Sequence, residues 1–94
     1  MDLPFFTASD VKAAVSMPNA INAMKEAFCS ISNGTAVVPH RINMPLEEFG
    51  AHHLSMPAYI KGGKFLTIKL INVHPGNPLN DLALINGVIL VMEA

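Results

Sequence analysis

In 94 residues the chain has one cysteine, one tyrosine, no tryptophan and few charges. Six Lys and Arg stand against seven Asp and Glu, a formal net charge of −1. With no basic stripe to neutralise phosphates, nucleic acid is not an expected partner. The lone Cys29 excludes a disulfide framework and points to a reducing compartment, the cytoplasm. Its helical spacing makes it a packing residue rather than a nucleophile. No segment reaches the roughly 18 consecutive apolar residues of a membrane span. The amino terminus also lacks the basic-then-apolar pattern of a secretory signal. Asn33-Gly34-Thr35 matches a glycosylation sequon, but without such a signal it reads as a helix stop. There is no Gly-x-Gly-x-x-Gly and no strand, Gly-rich turn and helix in succession, so no dinucleotide site is expected in this chain.

What the chain does have is apolar surface. Hydrophobic residues make up 51% of it, charged residues 14%, and there are five Phe; mean hydropathy is +0.39. Disorder is excluded for most of its length. Residues 1–94 allow one small domain, which is too small to hide four strongly apolar strands from water. The expectation is a piece of a larger unit, a tight oligomer, or both.

Thr7 with Asp10 three residues on makes a capping box, with Asp where Glu or Gln is usual, and opens a short helix over residues 9–15. Ser16, with Pro18 in the first turn, opens a second helix reaching about Asn33. Ile21, Met24, Phe28 and Ile31 repeat at helical spacing, and Asn33-Gly34 supplies a left-handed stop. From Thr35 the period changes to that of strands, expected over residues 35–44, 52–60, 64–74 and 82–92. Lys61-Gly62-Gly63 is short enough for a hairpin, so the second and third strands are antiparallel neighbours. Pro57 within a strand implies an edge or an irregular ladder. Helices followed by strands predict an α+β fold: two amino-terminal helices packed on a mostly antiparallel sheet.

Two cations interrupt apolar strands. Lys69 lies in Phe65-Leu-Thr-Ile-Lys-Leu-Ile-Asn-Val73, sharing a face with Phe65, Thr67, Ile71 and Val73. A lone ammonium buried there costs several kcal/mol unless it is paired. It therefore seeks an anion, either a structural carboxylate or a ligand. Arg41 lies in Val37-Val-Pro-His-Arg-Ile-Asn43, read as a second strand cation, and its planar fork suits a carboxylate. The pair could clamp a small acid. Alternatively, Arg41 pairs with Glu47 or Glu48 at a strand end. His40, His52, His53 and His74 invite a metal reading, but none shows i, i+4 helical spacing, and His52 and His53 point to opposite faces of a strand. No metal is expected.

Met17-Pro-Asn-Ala-Ile21, Ala27-Phe28, Gly34, Pro39-His-Arg41, Met56-Pro-Ala-Tyr59, Ile68-Lys69, Asn72-Val-His-Pro-Gly-Asn-Pro78 and Gly87-Val-Ile-Leu90 follow one another along nearly the whole chain. In this order they resemble the amino-terminal part of the ornithine cyclodeaminase / mu-crystallin family. The resemblance implies a substrate-binding and dimerisation domain, followed in full-length members by a Rossmann domain that binds NAD or NADP. It implies an NAD(P)-dependent amino-acid or imine oxidoreductase or a cyclodeaminase, with a small amino, imino or keto acid as substrate, working as a homodimer. Arg41 matches the arginine that holds the substrate carboxylate, and Lys69 matches the active-site lysine, catalytic as well as substrate-binding. Met56 belongs with Tyr59 to the family's Met-Pro-Ala-Tyr segment and is placed among the substrate-binding residues; its plainer reading is packing. Two departures stand out. Ala83-Leu84 replaces a common Pro-Thr, removing a hydroxyl that could contact substrate, and Glu93 stands where Asp is more usual. The later arginine, the catalytic carboxylate and the glycine fingerprint of the family lie beyond residue 94. The alternative is a non-catalytic truncated paralogue that retains a dimerisation or small-acid-binding surface.

Overall fold

The computed structural model describes residues 2–94 as two helices followed by an open antiparallel sheet. Helix α1 spans Ala8–Ala14. Its start is the reciprocal box expected: the Thr7 amide donates to Asp10 Oδ2 at 2.7 Å, and the Asp10 amide donates to Thr7 Oγ1 at 3.3 Å. Helix α2 spans Met17–Ser32, with Ser16 Oγ accepting from the Asn19 amide at 3.3 Å. It stops in a Schellman motif. Gly34 takes φ 79°, the Thr35 amide donates to the Ser30 carbonyl at 2.9 Å, and the Gly34 amide donates to the Ile31 carbonyl at 3.3 Å.

Five strands follow: β1 Ala36–Val37, β2 Ile42–Leu46, β3 Ala51–Ile60, β4 Phe65–Val73 and β5 Ile85–Glu93. Strand β3 pairs with β4, and β4 with β5; β1 and β2 share the other edge of β3, and every pairing is antiparallel. The β3–β4 hairpin turns on Gly62 at φ 85° and closes with the Gly63 amide on the Ile60 carbonyl at 2.9 Å.

Two boundaries differ from the sequence expectation. The strand expected over residues 35–44 is split, and Arg41 lies in the break between β1 and β2 rather than inside a strand. The cause is a pair of prolines. Pro39 cannot donate to a ladder, and Pro57, on the stretch of β3 facing the break, has no N–H either. The register shifts by one residue across the break, from Val37 opposite Tyr59 to Ile42 opposite Ser55. The last strand begins at Ile85 rather than Leu82. Asn77 and Asn86 both donate side-chain N–H groups to the Ala83 carbonyl, at 2.9 and 3.3 Å, and hold this stretch in a turn.

Little of this is covered. Ala51, 1% exposed, is the buried apolar residue among those described. Helix α2 meets the sheet along β1, while Phe28 on its apolar stripe is 65% exposed. The accessible surface is 7855 Å², against about 5,300 Å² for a compact monomer of this mass. The radius of gyration is 15.8 Å, against about 12 Å for a compact domain of this length.

Candidate functional site

Strand alternation and register sort the side chains into two faces of unlike chemistry. One face carries Lys69 on β4. Lys69 is directly opposite Met56 on β3 and Ile89 on β5, and cross-strand partners on one face stand about 5 Å apart. Ile42 is opposite Ser55, so Arg41, one residue earlier, stands at the step of that register leading to Met56. Two of the three residues singled out from the sequence, Met56 and Lys69, are therefore cross-strand neighbours. The third, Arg41, adjoins their row from the break between β1 and β2.

The alternative partner for Arg41 is ruled out by distance. Glu47 and Glu48 lie in a short 3-10 helix at the far end of β2, about 20 Å along an extended strand from Arg41. The side-chain hydrogen bonds found among the described residues involve neither Arg41 nor Lys69. Both are exposed and Met56 is half-buried. Lys69 is thus exposed, not the buried ammonium that the apolar run suggested. The same face also carries Asn43 and His52, joined Oδ1 to Nδ1 at 3.0 Å.

The opposite face has a polar row that the sequence reading missed. His53, Asn72 and Asn86 are successive register partners across β3, β4 and β5. His53 Nδ1 lies 2.7 Å from Asn72 Oδ1, and its Nε2 lies 2.9 Å from Ser55 Oγ. The row floors a shallow hollow of about 370 Å³ that Leu70 and Val88 also line. The available signal was the two asparagines interrupting apolar runs. His53 drew notice only as a metal ligand, yet its ring nitrogens are both taken by this network. Among the described residues no three His, Cys, Asp or Glu side chains gather as ligands for an ion, and no helix is long and apolar enough to cross a membrane.

The described residues do not fit a dinucleotide. All the strand pairings are antiparallel, and the pyrophosphate cradle needs a parallel strand, a Gly-rich turn and a helix in succession.

The ornithine cyclodeaminase/mu-crystallin family model matches residues 2–93. The chain belongs to that family. An alanine dehydrogenase of Archaeoglobus fulgidus is 33% identical over 78 residues, covering 83% of this chain and 23% of the relative. A Δ1-pyrroline-2-carboxylate/Δ1-piperideine-2-carboxylate reductase of Azospirillum brasilense is 33% identical over 92 residues, covering 98% and 29%. Among solved structures, an archaeal alanine dehydrogenase dimer with bound NAD superposes with TM-score 0.80 at 28% identity, covering 92% of this chain and 26% of that one. The Δ1-pyrroline-2-carboxylate reductase of Thermococcus litoralis, in complex with NADH and L-proline, gives TM-score 0.83 at 29% identity, covering 90% and 26%. The chain thus spans about a quarter of the length of these relatives.

Proposed function

We propose that residues 1–94 are the amino-terminal substrate-binding and dimerisation segment of an NAD(P)-dependent oxidoreductase or cyclodeaminase, acting in the cytoplasm on a small amino, imino or keto acid. The observation that carries this is the Met56–Lys69 cross-strand pair, with Arg41 in the adjoining break, one residue before the Ile42 that pairs with Ser55. Arg41 holds the substrate carboxylate through its two-pronged fork. Lys69 sits beside the reacting carbon–nitrogen centre, where an ammonium stabilises negative charge or passes a proton to nitrogen. Met56 supplies apolar, adaptable contact to the substrate's carbon chain. NAD or NADP belongs to the full-length protein and is held outside these residues.

Relatives named for alanine, pyrroline-2-carboxylate and piperideine-2-carboxylate support an α-amino or cyclic α-imino acid as substrate. The experiment is to assay the protein carrying this segment for NADH- and NADPH-dependent reduction of Δ1-pyrroline-2-carboxylate and of pyruvate with ammonia, and for cyclisation of L-ornithine. Turnover of one of these supports the reading; no turnover of any by folded, dinucleotide-loaded protein overturns it. The second reading, a non-catalytic dimerisation or acid-binding module, draws on the lack of a dinucleotide fold among the described residues. A reading frame that continues past Ala94 into a Gly-x-Gly-x-x-Gly fingerprint decides against it.

A further inference from the structure

We infer that the substrate's carbon chain lies over the Ala58–Thr67–Val91 row beside Lys69, and that the Thr67 hydroxyl selects an uncharged chain carrying a hydroxyl group. The inference rests on the substrate site proposed above. It adds the direction in which the chain runs and the residue that reads it.

The register gives the surroundings of Lys69. Met56 and Ile89 flank it across the sheet. On its own strand the same-face neighbours are Ile71 on one side and Thr67 on the other, each about 7 Å away along β4. The two sides are unlike. The Ile71 row is completed by Leu54 and Gly87, and it has no gap at the glycine: Ile71 Cγ2 lies 2.5 Å from the place a Gly87 Cβ would take. The Thr67 row is completed by Ala58 and Val91. Its side chains are short, and Ala58 is the smallest that β3 presents on this face. Phe65, 54% exposed, stands in the next row. A substrate held at Lys69 therefore finds room toward Thr67, with Phe65 as the far wall.

Among these neighbours Thr67 is the side chain that can hydrogen-bond. It is half-buried, and no hydrogen bond found among the described residues uses its hydroxyl. A hydroxyl both donates and accepts, so it pairs with a substrate hydroxyl in either sense. Facing a methylene instead, it forfeits that bond. Among the described strand residues, the carboxylate on this face is Glu93, opposite Phe65. It stands roughly 13 Å along β5 from Ile89, past the reach of a three-carbon side chain. A cationic chain such as that of ornithine thus meets a threonine and an alanine rather than a counter-ion.

The test uses the full-length protein and pairs of acids that differ by one hydroxyl, L-proline with trans-4-hydroxy-L-proline and L-alanine with L-serine, oxidised with NAD+ or NADP+. At least one hydroxylated acid should match or exceed its partner in kcat/KM. Thr67→Val keeps the branched shape and loses the hydroxyl. It should lower kcat/KM for that acid about tenfold or more and leave its partner within about threefold. Thr67→Ser keeps the hydroxyl and should leave both within about threefold. An equal effect of Thr67→Val on both acids overturns the inference. So does a Thr67→Ser variant impaired beyond Thr67→Val, the order expected where threonine acts only as a strand former. Should Thr67→Val fail to fold by circular dichroism, Ala58→Leu decides. Filling the row from the facing strand should raise KM for the hydroxylated acid about tenfold or more, and an unchanged KM overturns the inference. Wild-type turnover of proline or alanine without either hydroxylated acid overturns it too, as does a preference for L-ornithine over all four. These outcomes leave the proposed function standing. No turnover of any of these acids, or of the imino and keto acids above, by folded, dinucleotide-loaded protein sinks that function and this inference together.

Discussion

Single residues decide where α1 starts. The Thr7 amide and hydroxyl both donate to Asp10, which holds the Asp10 carboxyl below its ordinary 3.8. A lowered folded-state value means that the cap's contribution is present above pH 3.8 and is lost as pH falls through that lower value. We predict that the Cα chemical shifts of Ala8–Ala14 move toward coil as the carboxylate protonates. Asp10→Asn should show the same fraying at neutral pH; a helix indifferent to both changes would contradict the assignment. This feature was legible in the sequence because a capping box is local, needing only two residues three apart. Arg41 and Lys69 were legible as anomalies, two cations among apolar neighbours, but the strand break that holds Arg41 was not. It comes with a one-residue register shift between β1 and β2 along β3, which no local pattern encodes.

At the scale of elements, β4 and β5 pair over nine residues from Phe65–Glu93 to Val73–Ile85. Gly87 makes this possible. A Cβ there would lie 2.5 Å from both the Leu70 carbonyl oxygen and Ile71 Cγ2, distances that a side chain cannot hold. Gly87→Ala should push the strands apart and cost about 1–3 kcal/mol, read from the urea midpoint with earlier amide exchange at Leu70 and Ile71. Unchanged stability would mean that the strands do not approach so closely. The hairpin at Lys61-Gly62-Gly63 and the stop at Asn33-Gly34 were readable because turn chemistry is residue-specific. The start of β5 was not, because Leu82-Ala83-Leu84 is as apolar as a strand. Its turn comes from Asn77, five residues before Leu82, reaching forward to the Ala83 carbonyl.

Across the whole molecule, one buried apolar residue among those described and an excess of surface follow from what the composition implied: 94 residues cannot enclose this much apolar sheet. We predict that the chain made alone sediments as a dimer or larger species at tens of micromolar; a well-behaved monomer would contradict this. We also predict no saturable change in NADH fluorescence at micromolar chain, since the described residues build no dinucleotide cradle. The two-faced character of the whole sheet was not legible beforehand, because face membership across strands depends on the register between them.

The central claim is that Arg41 and Lys69 serve one substrate in different roles, and steady-state kinetics of the full-length protein tests it most directly. Arg41→Lys keeps the charge but loses the fork, so kcat/KM should fall about 10- to 100-fold, largely through KM. Lys69→Met keeps the stem and removes the charge at the reacting centre, so kcat should fall about 10²- to 10⁴-fold with a smaller change in KM. Two variants that lose stability but keep wild-type kcat and KM would contradict the account, leaving both cations as features of the scaffold alone.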